Sequence, residues 1–102
     1  MKEYIYEDKL TFVIDEDGDS FEIFQKAMEI INNLIIPFKS EFKNGYWDES
    51  KGYFLKDNIT VYLEYSNWTG TVLRVSSQLA EEEIQKVRQW AEEIYRNCNI
   101  LR

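Results

Sequence analysis

The sequence predicts an α+β fold: an antiparallel meandering sheet with two helices packed on one of its faces. Three patterns carry that expectation. Ile59, Val61, Leu63 and Tyr65 alternate with Thr60, Tyr62, Glu64 and Ser66, the period of a strand with one face turned inward. Phe21, Phe24, Met28, Ile31 and Ile35, with Ala27 and Leu34 on the same side, recur at helical spacing. Ile84, Val87, Ala91, Ile94 and Cys98 repeat that spacing near the end of the chain. Strand, helix, several strands and helix, in that order, close most simply as helices over one face of a sheet. With 102 residues there is room for one core, so residues 1–102 are read as a single domain.

Each element has its own signals. Leu10–Ile14 is a β-prone run, and Tyr4-Ile5-Tyr6 before it makes a hairpin partner across the polar Glu7-Asp8-Lys9. The acidic stretch Asp15–Ser20 stops the strand, and Asp19 or Ser20 offers a side-chain oxygen to cap the first helix. Pro37 ends that helix, because it lacks an amide hydrogen and restricts Ile36. Asn44-Gly45 marks a hairpin turn after Phe42, Asp57-Asn58 a second after Tyr53-Phe54-Leu55, and Ser66–Gly70 a third before Thr71–Val75. Ser77 is read as the cap of the last helix, whose first turns carry Glu81, Glu82 and Glu83, where negative charge suits the dipole.

Composition excludes several function classes. Nineteen acids against twelve bases and no histidine give a formal charge of -7. Nucleic acid and anionic membranes are therefore not expected as partners, since both call for clustered positive charge. Without histidine the chain lacks the commonest general base and metal ligand, so no cofactor, no metal and no catalytic role are expected. One cysteine, Cys98, cannot form an internal disulfide, which suits a reducing compartment, and no apolar run is long enough for a signal or a bilayer span. The expected location is the cytoplasm.

The apparent chemical motifs fail on spacing. If Asp15, Asp17 and Asp19 began a calcium loop, the required glycine would fall on Ser20 and the closing glutamate on Lys26. Asp48 and Glu49, adjacent on an extended segment, point to opposite faces and cannot act as a carboxyl pair. Cys98 lies on an apolar stripe, which suits a buried thiol rather than a nucleophile.

Aromatic distribution is more informative. Phe38, Phe42, Tyr46, Trp47, Tyr53, Phe54, Tyr62, Tyr65 and Trp68 crowd the sheet region. Tyr62 faces away from Val61 and Leu63, and Trp68 sits in a turn, so both are expected at the surface as interface anchors. The alternative is a second small core beneath residues 44–52. Charge is uneven as well: residues 1–51 hold twelve acids and six bases, residues 52–102 seven and six. The candidate partner-binding set is therefore Asp15, Glu16, Asp17, Tyr46, Trp47, Asp48, Glu49, Asp57, Tyr62, Glu64 and Trp68, an acidic and aromatic rim suited to a basic protein.

In size, acidity, element order and the segments Tyr46-Trp47-Asp48-Glu49 and Tyr62-Leu63-Glu64-Tyr65, the chain resembles small immunity proteins of bacterial contact-dependent growth inhibition and related polymorphic toxin systems. The resemblance is one of type, not of motif. It implies a cytoplasmic inhibitor, a monomer or weak dimer, that binds a cognate toxin, often a basic nuclease domain, and occludes its active site. The alternative is a small acidic secretion chaperone that dimerises and holds an effector segment. A third reading, an enzyme working with carboxylates and tyrosines alone, requires a deep pocket holding two carboxyls.

Overall fold

A computed structural model describes residues 1–17, 20–43 and 49–99. It has six strands, β1 (Glu3–Tyr6), β2 (Lys9–Asp15), β3 (Lys39–Lys43), β4 (Glu49–Lys56), β5 (Ile59–Ser66) and β6 (Gly70–Ser76), and two helices, α1 (Phe21–Ile30) and α2 (Glu81–Asn99). Every strand pair is antiparallel and the order is β1-β2-β6-β5-β4-β3. Strands β3 to β6 are thus a meander, and the β1–β2 hairpin adds to it through β6. The expected α+β architecture is what forms.

Local chemistry explains the hairpins. Glu7 and Asp8 take φ of 51° and 61°, and Asp57 and Asn58 take 51° and 63°, so both two-residue turns have the left-handed backbone that matches strand twist. Residues 44–45, the expected turn between β3 and β4, lie outside the described residues.

Helix α1 connects β2 to the far edge strand β3. Continued by a π-helical turn over Ile31–Ile35, it has fifteen residues, about 22 Å of helix at 1.5 Å per residue. Four strand spacings come to about 19 Å, so the segment is long enough to cross the sheet. One core joins both helices to one sheet face: Phe12, Phe54, Val61, Leu63, Leu73 and Val75 meet Phe24, Ala27, Ile31, Val87, Ala91 and Ile94, all fully buried. Each buried large apolar side chain contributes about 1.5–3 kcal/mol.

The π turn changes the helix face. The Ile36 N–H donates to the Ile31 carbonyl at 2.9 Å, five residues back, and the wider turn swings Leu34 out of the stripe to 49 % exposure. Ile23 and Ile30 are buried in addition to the expected stripe, because α1 is packed by both the sheet and α2. Ile36 ends the helix in the left-handed region at φ 55°, directly before Pro37. The Lys56 ammonium donates to the Ile35 carbonyl and covers this C-terminus with positive charge.

Neither expected serine cap forms. Ser20 precedes α1 but makes no side-chain cap bond. Ser77 lies four residues ahead of α2, where its hydroxyl and N–H both donate to the Asp8 carbonyl, at 2.8 and 3.0 Å, tying β6 to the first hairpin. Glu83 does the capping instead, accepting the Ala80 N–H at 3.1 Å.

Edge strand β1 is pinned to α2 by a forked ion pair: Arg88 donates to both Glu3 carboxylate oxygens, at 2.8 and 3.1 Å. The hydrogen bond from Arg88 holds the Glu3 carboxyl below its ordinary range. Because the folded-state pKa is depressed, the pair stabilises the fold above the unfolded pKa and loses that contribution as pH falls through the folded one. Glu3→Gln is expected to cost up to about 1 kcal/mol at neutral pH, the range of a partly exposed pair. The gap from the parent should shrink as pH falls below about 4.3, as read by urea denaturation at several pH values; a gap independent of pH would refute this.

Candidate partner-binding face

The opposite face of the sheet carries no helix among the described residues. Cross-strand register aligns Tyr4, Thr11, Arg74, Tyr62, Tyr53 and Glu41 in a single row across all six strands. A second row runs Val13, Val72, Glu64, Lys51 and Lys43. Residue alternation places these side chains here because their neighbours Phe12, Leu63, Leu73 and Phe54 point into the core.

This open face is concave. A depression of about 170 Å³ is lined by both Tyr6 of β1 and Glu49 of β4. Those strands are four spacings apart, about 19 Å in a flat sheet, so the sheet curls toward this side. The adjoining hollow, about 470 Å³, is lined by Glu41, Lys43, Lys51, Tyr53 and Tyr62, and the two share Glu49, Ser50 and Lys51. Thr11, Val13 and Val72 of this face are buried although no helix among the described residues covers them.

Charge on the face is organised around Arg74. Its guanidinium reaches Glu64 at 3.5 Å and donates to the Tyr6 carbonyl at 3.1 Å, arching over β2. The Lys9 ammonium sits 4.7 Å from the Tyr62 ring centroid, and the Arg74 guanidinium 5.9 Å from that of Tyr6. Such cation–ring contacts fix tyrosines without engaging their hydroxyls. Lys51 pairs with Glu49 at 3.2 Å in solvent.

The structure gathers part of the expected acidic-aromatic set and separates the rest. Tyr62 and Trp68 are exposed, Trp68 to 90 %, on a turn closed by the Ser66 and Thr69 hydroxyls at 2.8 Å. Glu16, Asp17, Glu49 and Trp68 lie toward the end of the sheet where β2 stops and β6 begins. Asp15 is buried there and accepts the Asp17 N–H, so Glu16 and Asp17 supply the exposed charge. Glu16 binds Lys2 at 2.7 Å, which raises the lysine pKa through the hydrogen bond. Glu64 is on the open face, held by Arg74. Asp57 is at the other end, in the β4–β5 turn, paired with Lys86 of α2 at 3.7 Å. Tyr46, Trp47 and Asp48 lie outside the described residues.

Tyr4, Tyr6, Lys9, Lys51, Tyr53 and Arg74 belong to the face but not to the expected set. Strand alternation marks Tyr53 as opposite in facing to Phe54, and the β1–β2 hairpin places Tyr4 and Tyr6, so the signal was present for three of them. Among the described residues, no three acidic or cysteine side chains gather as metal ligands, and no helix is long and apolar enough to cross a membrane. No protein-family model, curated protein or solved structure matches the chain.

Proposed function

We propose that the chain is a protein-binding module of the immunity type, which sequesters a cognate bacterial toxin and occludes its active site. One observation carries the reading: among the described residues no helix covers one face of the six-stranded sheet, which is concave and lined by Tyr6, Tyr53 and Tyr62, with Trp68 exposed beyond its end. Tyrosine and tryptophan in a depression are the anchors protein interfaces use. The formal charge of -7 adds a long-range field that speeds encounter with a basic toxin, such as a nuclease domain. Two of the three carboxylates on the face are paired with cations, Glu64 with Arg74 and Glu49 with Lys51, an arrangement suited to recognition rather than acid–base work.

A second reading, a dimeric secretion chaperone, is favoured by Leu34, Ile36 and Phe38, exposed to 49, 68 and 86 % beside the free edge of β3. Lysines at positions 39 and 43 of that edge oppose strand pairing between copies. Co-expression with a toxin encoded beside this gene tests the first reading. Cells should survive, and the two proteins should purify as a complex. Unprotected cells with no complex would refute it, and a stable dimer that captures an unfolded effector segment would install the second.

A further inference from the structure

We propose that the open sheet face docks an acidic segment of the protein partner, the reverse of what the net charge of the chain suggests. The proposal rests on the reading of the chain as a protein-binding module and adds the chemistry of what it grips. Among the described residues, the charged side chains that the register directs to this face are Lys9, Lys39, Lys43, Lys51 and Arg74 against Glu41, Glu49 and Glu64. Five bases against three acids make this face cationic in a chain whose formal charge is -7. The excess negative charge therefore lies on the helices, the turns and the Asp15 end.

The cations are also available. Among the described residues no carboxylate lies within ion-pair distance of Lys39 or Lys43, and Lys51 has only its solvent-exposed contact with Glu49. A pair of that kind is worth about 0–1 kcal/mol, so an incoming carboxylate displaces it at little cost. Hydroxyl donors stand beside the cations. Tyr53 and Tyr62 line the larger hollow and Tyr6 the smaller one, and none of their hydroxyls is hydrogen-bonded among the described residues. A phenol O–H and an ammonium together match a carboxylate, which accepts on both oxygens. Steering by net charge and contact chemistry act at different ranges: a basic toxin is drawn in by the whole field, and an acidic segment of it settles on the one cationic face.

An oligonucleotide would also meet rings and cations here. It is disfavoured because Glu41, Glu49 and Glu64 are interleaved with the bases, and because a polyanion must approach against the field of the whole chain. A peptide can place carboxylates only where the lysines are.

The test uses the isotope-labelled full chain and three probes: a short peptide alternating glutamate with valine, its lysine-for-glutamate counterpart, and an oligothymidylate. Saturable amide shifts with the glutamate peptide are expected at Lys9, Lys51, Tyr53, Tyr62 and Arg74. The double variant Lys9→Glu with Lys51→Glu should weaken binding by about tenfold or more, while Lys86→Glu on α2 leaves it unchanged. Preference for the lysine peptide or for oligothymidylate, shifts confined to the helices, or no saturable shift would each overturn the proposal. Protection assays separate the two levels. If the double variant, shown to be folded by its amide spectrum, still binds and neutralises the toxin like the parent, the immunity reading stands and this docking mode fails. If the peptide binds but no toxin is neutralised, the reverse holds.

Discussion

Gly70→Ala is expected to lower stability by about 3 kcal/mol or more, the sum of a left-handed backbone penalty and overpacking against immovable atoms. Gly70 is buried with φ 72°, a conformation that costs any L side chain. An added Cβ would stand 2.0 Å from the Asp15 carbonyl oxygen and 2.9 Å from the carbonyl carbons of Asp15 and Glu16. These are backbone atoms of the last residue of β2 and of the residue after it, so no rotamer change relieves the clash. The β6 start and the β2 end must separate, which moves Glu16 and Asp17 relative to the Trp68 turn. Gly52 differs: its φ is not in the left-handed region, and the nearest obstacle, at 2.3 Å, is the half-buried Phe42 ring, although the Glu41 carbonyl follows at 2.6 Å. Gly52→Ala should cost less than Gly70→Ala. Urea denaturation of both variants with the parent, compared by midpoint at constant slope, decides the order. A Gly70→Ala chain within about 1 kcal/mol of the parent would contradict the close approach.

The parts of this fold that sequence reading anticipates are those where one local rule acts alone. Period-two alternation in residues 59–66 has a single physical cause, one buried face, and it names Val61, Leu63 and Tyr65 as core and Tyr62 as exposed. The α2 stripe from Val87 to Cys98 is equally direct, since that helix is buried on one side only. Trouble begins where two elements compete for the same residue. Leu34 fits the α1 stripe by spacing, but the π turn ahead of Pro37 shifts the helix phase and exposes it. Ser77 looks like a cap because serine is a good one, yet the Asp8 carbonyl, distant in sequence, binds it first. The candidate site shows the same division. Exposure of Tyr62 and Trp68 follows from pattern and turn chemistry. The placement of Asp57 away from Glu16 and Glu49, and of Lys9 over Tyr62, depends on strand order β1-β2-β6-β5-β4-β3, and no periodicity encodes that order. Net charge misleads for the same reason: it sums over faces that the fold keeps apart.

Phe54 and Tyr62 show how that separation should appear in experiment, because they occupy neighbouring strands but opposite faces. In the register, Phe54 pairs with Val61 and Tyr53 with Tyr62. Phe54 is fully buried, with its ring edge-on to Trp90 of α2 at a centroid distance of 5.9 Å. Phe54→Ala removes apolar surface and leaves a cavity between the sheet and α2, at a cost of about 3–5 kcal/mol. That is a large part of the 5–15 kcal/mol, roughly, that holds a domain of this size, so thermal unfolding should shift down by many degrees. Tyr62 is 37 % exposed and its ring touches Lys9 rather than the core. Tyr62→Ala should cost about 1 kcal/mol or less in stability, the range of an exposed cation–ring contact. Its effect should fall on binding instead, weakening the partner complex by about 2 kcal/mol as a central anchor does. Thermal denaturation and titration of the cognate toxin, run on both variants, give the two readouts. Equal destabilisation by the two substitutions would mean that Tyr62 is part of the core. Unchanged toxin affinity in a folded Tyr62→Ala chain would remove the open face as the binding surface, because no partner seated in a hollow lined by Tyr53 and Tyr62 can avoid that ring.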